Sequence, residues 1–359
     1  MASRLFVLLL LATSCRTAPV ARPTPPAADV TVTYLGAATL DRVANPLAGG
    51  LSDWAWDPTT GDYAVISDDP SEHAPARFYW LRVPLQHGQP GAPQVLGETV
   101  LRGPDGQPFP LKGLDPEGLA LWGTDAVLVS SEGVTSRGVP PFVGVFGRDG
   151  AWRAWLPLPE HFTAETHGKA QTRGVRENYG LEALSLCPDG RTLLAMNEAP
   201  LVQDLPAPAE PQPLRVVRWD LGGNAPVLAG ERVYRAEPVP AGIQVHGVTS
   251  LLCLDGGRRA LVLERSWALT LGFLVRLYLA DFSTAEAVDD AAPLAAQRPA
   301  SKRLLVDLGT LGVRMDNFEG LALGPPLPGG GRALLVISDD NFMPFQVTEV
   351  LVFALGGVD

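Results

Sequence analysis

Short apolar runs occur along the chain in pairs, and a turn rich in aspartate and glycine separates the two runs of a pair. The pairs cover residues 51–69, 117–133, 182–199, 249–266 and 319–341. Asp189-Gly190 lies between the runs of the third pair and Asp255-Gly256 between those of the fourth. Asp-Gly between apolar runs is typical of a tight β-hairpin, because these residues tolerate positive φ. The pattern therefore predicts five hairpins that recur about every 65–70 residues, as in a repeat architecture.

Further strand-like segments, with more aromatic and alternating character, follow each hairpin. They lie at 77–83, 142–158, 214–221, 275–282 with 302–308, and 348–355. Four strands per repeat around an axis make a β-propeller blade. The last repeat lacks a fourth strand, and residues 30–40 form a lone strand before the first repeat. We therefore predict an all-β propeller of five four-stranded blades, closed by the N-terminal strand. Six blades and a pair of β-sandwiches are the alternatives.

The opening and closing positions of the hairpins carry the candidate chemistry. In a propeller the first strand of each blade is innermost, so its first residues line one opening of the channel; these are Ser52, Glu117, Glu182, Thr249 and Glu319. An antiparallel second strand returns to the same opening, which adds Asp68, Asp69, Glu132, Glu198, Glu264, Asp339 and Asp340. Asp115, Asn178, Asn317 and Asn341 lie close by in the sequence. The chain thus predicts a strongly acidic channel opening.

Carboxylates at short range raise one another's pKa unless a cation compensates them. Ca²⁺ takes six to eight oxygen ligands from such side chains, so a calcium site is the expectation. The predicted ligands are Asp68, Asp69, Glu117, Glu132, Glu198, Glu264, Asn317, Asp339, Asp340 and Asn341. Glu182 or Glu319 would activate water, and Arg265 would orient an anionic group. The alternative is a water-filled acidic funnel whose carboxylates pair with arginines such as Arg77 and Arg265.

Composition and the N-terminus bound the remaining possibilities. A net charge of −11 argues against nucleic acid as a partner. Arg4, the apolar residues 5–11 and Ala-Thr-Ser-Cys at 12–15 predict a secretory signal with a lipobox-like end. Cys15 would then carry a lipid anchor in an exported bacterial lipoprotein, with membrane contact only through that anchor; ordinary signal cleavage is the alternative. Residues 16–29 are a Pro/Ala-rich tether, and 30–359 are predicted to form one domain.

Two cysteines remain, at 187 and 253. They occupy adjacent, non-equivalent positions in the first strands of neighbouring repeats. Because successive side chains of a strand point to opposite faces, a disulfide between them is not favoured. There is no Cys-x-x-Cys pair, and His246 alone among the histidines precedes an opening strand position.

Several motifs together resemble the bacterial family called "esterase-like activity of phytase". They are GLSDWAWD at 50–57 with SDD at 67–69, DPEGLAL at 115–121 with SSEG at 130–133, NYGLEALSLCPDG at 178–190, LERSW at 263–267, and DNFEGLAL at 316–323 with SDDN at 338–341. The resemblance spans roughly residues 30–355. It implies a propeller-like domain in exported proteins, related by name to phytases that use calcium to bind phosphate esters. The motif positions are Glu117, Glu132, Glu182, Glu198, Glu264, Arg265, Asn317, Glu319, Asp339, Asp340 and Asn341.

Two functions follow from these observations. The first is a Ca²⁺-dependent hydrolase of phosphate esters, or of carboxylic esters and lactones, acting on a small anionic ester or phosphate ester at the channel opening. The second is a non-catalytic surface propeller that binds a ligand or a protein partner there, since a fold does not decide a function.

Overall fold

Five four-stranded antiparallel sheets form the fold in a computed structural model that describes residues 29–167 and 170–358. Blade 1 consists, from the inner to the outer strand, of Leu51–Trp56, Tyr63–Ser67, Arg77–Arg82 and Gln94–Val100. Blade 2 consists of Pro116–Trp122, Ala126–Ser131, Phe142–Gly147 and Trp152–Trp155. Blade 3 consists of Leu181–Leu186, Thr192–Asn197, Pro211–Asp220 and Val227–Pro238. Blade 4 consists of Val245–Asp255, Arg259–Ala268, Gly272–Asp281 and Ser301–Asp307.

Blade 5 contains the two ends of the described chain. Its strands are Asn317–Pro326, Arg332–Asp339, Glu349–Gly356 and, outermost, the N-terminal Thr31–Thr39. Thr31 pairs with Gly356 and Thr39 with Glu349, so the first strand of the chain completes the last blade. The five inner strands contact one another in order, and the strand of blade 5 contacts that of blade 1. The prediction of five blades closed by the N-terminal strand is confirmed.

The remaining elements are short. Two-stranded ribbons occur at Leu85–Gln86 with Gln89–Pro90 and at Glu165–His167 with Ala170–Arg173. Single 3₁₀ turns lie at Thr135–Arg137, Glu160–Phe162, Val202–Asp204, Phe282–Thr284, Leu294–Ala296 and Leu308–Thr310. Within the described ranges there is no α-helix, and hence no helix long and apolar enough to cross a membrane. The predicted signal segment, Cys15 and residues 16–28 of the tether lie outside the described residues.

The hydrophobic core is divided among the contacts between blades. Each of five buried clusters joins two neighbouring blades; the cluster between blades 2 and 3, for example, packs Leu128 and Val143 against Leu184 and Trp219. The second strand of blade 1, Tyr63–Ser67, is buried at every position. This explains why the apolar runs are nearly continuous: a strand between two blades is covered on both faces.

Cys187 and Cys253 are joined in a disulfide, with their Cα atoms 4.9 Å apart. The sequence leaves this disulfide possible without favouring it, and the structure corrects that preference. That preference assumed strict alternation in both strands, whereas Cys187 lies just beyond the end of Leu181–Leu186 and the pairing of blade 4 is irregular between Cys253 and Asp255. Side chains therefore do not alternate strictly between the two faces at these positions, and the argument against a disulfide no longer holds. The disulfide links the inner strands of blades 3 and 4.

Candidate functional site

The acids that follow the second strands return to the starts of the first strands, as the hairpin geometry requires. The amide of Asp68 donates to the carbonyl of Gly50 at 2.7 Å, and that of Glu132 to Asp115 at 2.9 Å. In blade 3 the amide of Glu198 donates in the same way to Gly180 at 2.8 Å. Opening and closing positions therefore meet at one end of the channel.

Blade 4 departs from the predicted ring by one residue. The positions that precede the opening residues pair across their hairpins as Leu51 with Ser67, Pro116 with Ser131, Leu181 with Asn197, Val248 with Glu264 and Phe318 with Ser338. The next residue after each of these partners is Asp68, Glu132, Glu198, Arg265 and Asp339. Arg265, not Glu264, is therefore the equivalent of the closing acids.

Glu264 lies away from the channel opening, so the structure does not bring it together with the other predicted metal ligands. It accepts hydrogen bonds from Tyr234 at 2.7 Å and Lys302 at 2.6 Å. It lines a separate small cavity together with His246. The ring nitrogens of His246 bond to Ser266 and to the carbonyl of Glu237, each at 2.8 Å, so this histidine is not at the acidic opening either.

A cavity of about 600 Å³ occupies the channel opening. Its charged lining consists of ten carboxyl-bearing residues and only two cations: Asp68, Asp69, Glu72, Asp115, Glu117, Glu132, Glu177, Glu182, Glu198, Glu319, Lys112 and Arg265. The structure thus brings together nine of the predicted site residues, which are Asp68, Asp69, Glu117, Glu132, Glu182, Glu198, Arg265, Glu319 and Asn341. Size and concavity are those of a small-molecule site.

Two triads of carboxylates in this cavity are close enough to share a cation. Oxygens of Asp115, Glu117 and Glu132 lie within 4.8 Å of one another, and so do those of Glu132, Glu182 and Glu198. Carboxylates alone form these triads, without imidazole or thiolate, which suits a hard cation. In each triad the oxygens are close enough together to bind one such cation, either Ca²⁺ or Mg²⁺.

Burial raises the pKa of these acids, and their neighbours raise it further. The pKa values of Glu117, Glu132 and Glu182 lie well above the ordinary range, through burial and then through nearby carboxylates. Burial, with Glu177 close by, raises the pKa of Asp115 to about 7. Ionising them together at neutral pH requires a compensating positive charge.

Arg265 supplies part of that charge, but from a fixed position. Its Nη2 donates to Glu198 at 2.8 Å and its Nη1 to Glu319 at 2.9 Å, with a further hydrogen bond from Nη1 to Asn317. Both terminal nitrogens thus have protein partners. The sequence predicts that Arg265 orients a substrate anion. The arrangement instead favours a role in positioning two carboxylates.

Two of the predicted metal ligands have structural partners instead. Asp69 accepts hydrogen bonds from Arg77 at 2.8 Å and from the amides of the loop that follows it. Asp340 forms an ion pair with Arg42 and accepts a hydrogen bond from the hydroxyl of Thr348 at 3.1 Å. Their oxygens are used to fix loops at the rim.

Asn317 and Asp339 form a layer behind the cavity. The side-chain nitrogen of Asn317 donates to Glu319 at 2.9 Å and to Asp339 at 3.3 Å. Burial raises the pKa of Asp339 to about 6, and that of Glu319 to about 8 despite the opposing effect of Arg265. Burial and then Asp339 raise the pKa of Asp68 well above its usual range. Asn317 thus holds Glu319 and Asp339 acts on the charge of Asp68, while neither residue lines the cavity.

Asp115 is the most important residue missing from the predicted ligand set. It precedes the first strand of blade 2, so the count of strand-opening positions excluded it, although the DPEG motif contains it. Glu72, Lys112 and Glu177 at the rim come from loops of the first three blades, and no periodic signal marks them. Lys112 and Glu72 pair with each other at 2.8 Å.

The sequence profile of the family described as "Phytase-like: Esterase-like activity of phytase" matches residues 46–342, which is most of the chain and includes every motif of the acidic opening. The chain belongs to the phytase-like family. The residues that this phytase-like protein gathers at its channel opening are thus also those that carry the resemblance seen in its sequence. No match is found among curated proteins.

Three solved structures are similar to this phytase-like protein over most of its length. The periplasmic gluconolactonase PpgL of Pseudomonas aeruginosa is 17% identical, with 84% of this chain and 88% of that chain covered and a TM-score of 0.34. The α-L-arabinofuranosidase of Lactobacillus brevis is 12% identical, with 86% and 92% covered and a TM-score of 0.41. A putative oxidoreductase (glucose dehydrogenase) of Thermus thermophilus is 13% identical, with 90% and 100% covered and a TM-score of 0.37.

Proposed function

We propose that this phytase-like protein is a Ca²⁺-dependent hydrolase of small esters, with its active site at the acidic channel opening. The observation that carries the proposal is a pair of carboxylate triads that share Glu132, one of them fully buried and the other partly buried. Ten carboxyl-bearing residues against two cations would repel a substrate anion unless cations bind first. A neutral carboxylic ester or lactone meets less repulsion than a phosphate ester, and we favour it as the substrate.

The residues divide into a cation-binding set and a reacting set. Asp115, Glu117, Glu132, Glu182 and Glu198 would hold the cation, which supplies Lewis-acid polarisation of the ester oxygen when bound. Glu319 belongs to neither triad and is held by Arg265 and Asn317. In its ionised form it is therefore the better placed of the two predicted catalytic carboxylates to take a proton from the attacking water. Water adds to the ester carbonyl, the C–O bond breaks, and the alcohol leaves with the proton.

The decisive experiment measures calcium binding and turnover in the same preparation. Protein stripped with EDTA is titrated with CaCl₂ by calorimetry, and a panel of p-nitrophenyl acetate, p-nitrophenyl phosphate and γ-butyrolactone is assayed with and without calcium. Glu132→Gln removes a ligand of both triads and should weaken calcium binding at least about tenfold. Glu72→Gln is the matched control, since Glu72 lines the same cavity but belongs to neither triad.

The outcomes separate the two candidate functions. Calcium binding that depends on Glu132, together with calcium-dependent turnover, supports the hydrolase. Calcium binding without turnover of any substrate favours the non-catalytic propeller that binds a ligand. If calorimetry of the wild-type protein detects no calcium binding, the proposal is overturned. We also propose export and a lipid anchor on Cys15, which mass spectrometry of the mature N-terminus tests.

A further inference from the structure

An apolar groove of about 460 Å³ opens directly beside the acidic cavity. Val245, Arg265 and Asn341 line both, so the two are continuous. The side chains that distinguish the groove are Trp267, Phe273, Met315, Met343 and Phe345. A strongly polar cavity thus passes into an apolar one within a few residues.

One wall of the groove exists because the central hairpin of blade 4 is longer than its counterparts. The second strands of blades 1, 2 and 3 end at Ser67, Ser131 and Asn197, just before their closing acids. In blade 4 the strand continues beyond Arg265 to Ala268. Trp267 pairs there with Phe273, with ring centroids 6.3 Å apart. The extension therefore raises an aromatic wall next to the opening.

The other wall is the loop that follows Asn341, and its backbone is fixed. Both carboxylate oxygens of Asp316 hold it, accepting from the side chain of Gln346 at 3.0 Å and from the amide of Val347 at 3.1 Å. Arg314 donates to the carbonyl of Phe345. Asp316 and Arg314 thus hold the loop from outside it, while Met343 and Phe345 remain 48% and 69% exposed. A fixed loop that presents apolar side chains to solvent is suited to an apolar ligand.

We propose that this groove binds the apolar chain of the ester whose reacting group lies at the acidic opening. The inference rests on the proposed function and narrows its substrate class to esters with an extended alkyl or acyl chain. Continuity through Val245 and Asn341 lets one molecule occupy both parts. A compact, highly charged ester would leave the groove empty and gain nothing from it.

The first test is a chain-length series of p-nitrophenyl esters from acetate to octanoate. Each methylene that enters the groove should raise kcat/KM by about three- to fourfold until the groove is full. The double variant Met343→Ser/Phe345→Ser should lose most of the octanoate-to-acetate ratio of kcat/KM. Leu96→Ser, at an exposed position in the outer strand of blade 1, should retain that ratio.

The second test measures binding without turnover, so that it stands if the hydrolase proposal fails. N-Ethyloctanamide and N-ethylacetamide are neutral, unreactive analogues of the octanoate and acetate esters, and calorimetry compares their affinities. The octanamide should bind at least about tenfold tighter to the wild type, and the double variant should abolish the difference.

If the protein prefers the longer amide but turns over no ester, the proposed binding of an apolar chain in the groove stands and the proposed hydrolase activity is overturned. Equal affinities for the two amides would overturn the proposal that the groove binds an apolar chain, whatever the turnover. A preference for the longer amide that survives in the double variant would overturn it as well. Turnover that rises with chain length and falls in the double variant supports both.

Discussion

At the scale of single residues, Arg265 occupies the place that an acidic side chain takes in the four other blades. Its guanidinium lies between Glu198 and Glu319 at 2.8 and 2.9 Å. A buried charge-assisted pair of this kind fixes geometry as well as charge. The acidic opening therefore has one built-in cation on the blade 4 side, and the two carboxylate triads lie towards blades 2 and 3.

Glu319→Gln tests the division between cation-binding and reacting residues. The amide keeps the hydrogen bond from Arg265 but cannot take a proton, so kcat should fall by about 10²–10⁴-fold. Calcium affinity should change by less than about threefold, because Glu319 is in neither triad. Steady-state kinetics and calcium calorimetry on the same variant check both. A loss of calcium binding equal to that of Glu132→Gln would place Glu319 among the ligands instead.

At the scale of the strands, each closing acid of blades 2 and 3 packs against the start of the next blade. The amide of Gly180 donates to the side chain of Glu132, and the amide of Val248 donates to the carbonyl of Glu198 at 2.9 Å. The approach is so close that a Cβ on Gly247 would lie 2.4 Å from Cγ of Glu198. Only glycine at 247 lets the backbone of blade 4 approach Glu198 of blade 3 this closely. Residues of neighbouring blades therefore build the site together.

Gly247→Ala should therefore damage the site through Glu198. The added methyl group must displace that side chain, so we expect calcium affinity to fall by about tenfold or more and the protein to lose about 1–3 kcal/mol of stability. Gly97→Ala is the matched control, because a Cβ at Gly97 meets nothing within 4 Å. Calorimetry and urea unfolding compare the two. Equal behaviour of both variants would contradict the geometry.

At the scale of the whole molecule, ring closure has to hold five blades together around a channel. The N-terminal strand closes blade 5, and the disulfide joins blades 3 and 4. Cys187 and Cys253 line a cavity at the opposite end of the inner strands from the acidic opening. The disulfide and the candidate chemistry are thus at opposite ends of the channel.

Replacing both bridged cysteines with alanine should lower the free energy of unfolding by about 2–4 kcal/mol, because the bridge closes a long loop of 66 residues. Calcium affinity should stay within about twofold of the wild type, since the bridge is remote from the triads. Denaturant unfolding under non-reducing conditions measures the first, and calorimetry the second. An unchanged unfolding midpoint would show that the bridge contributes nothing.

The pH dependence of stability should reveal the buried acids. In the folded protein the pKa values of Asp339, Asp115 and Glu319 are raised to about 6, 7 and 8. Raised carboxyl pKa values contribute stability that is fully present below the unfolded values, near 4, and is lost as pH rises through 6 to 8. Melting in EDTA should therefore shift to lower temperature between pH 5 and 8.5.

Calcium should oppose that loss, because it binds the ionised carboxylates. The difference in melting temperature between calcium and EDTA should grow with pH over the same range. A melting temperature in EDTA that rises from pH 5 to 8.5 would contradict the raised pKa values.

The sequence by itself determined the five hairpins, the blade count and the closure by the N-terminal strand, because paired apolar runs and the turns between them are local signals. It also placed Glu117, Glu132, Glu182 and Glu198 at one opening. Only the tertiary structure decided that Arg265 replaces Glu264 in the ring and that Cys187 bonds to Cys253. The physical reason is register: one bulge or one residue beyond a strand end turns a side chain to the other face, and long-range packing sets where that happens.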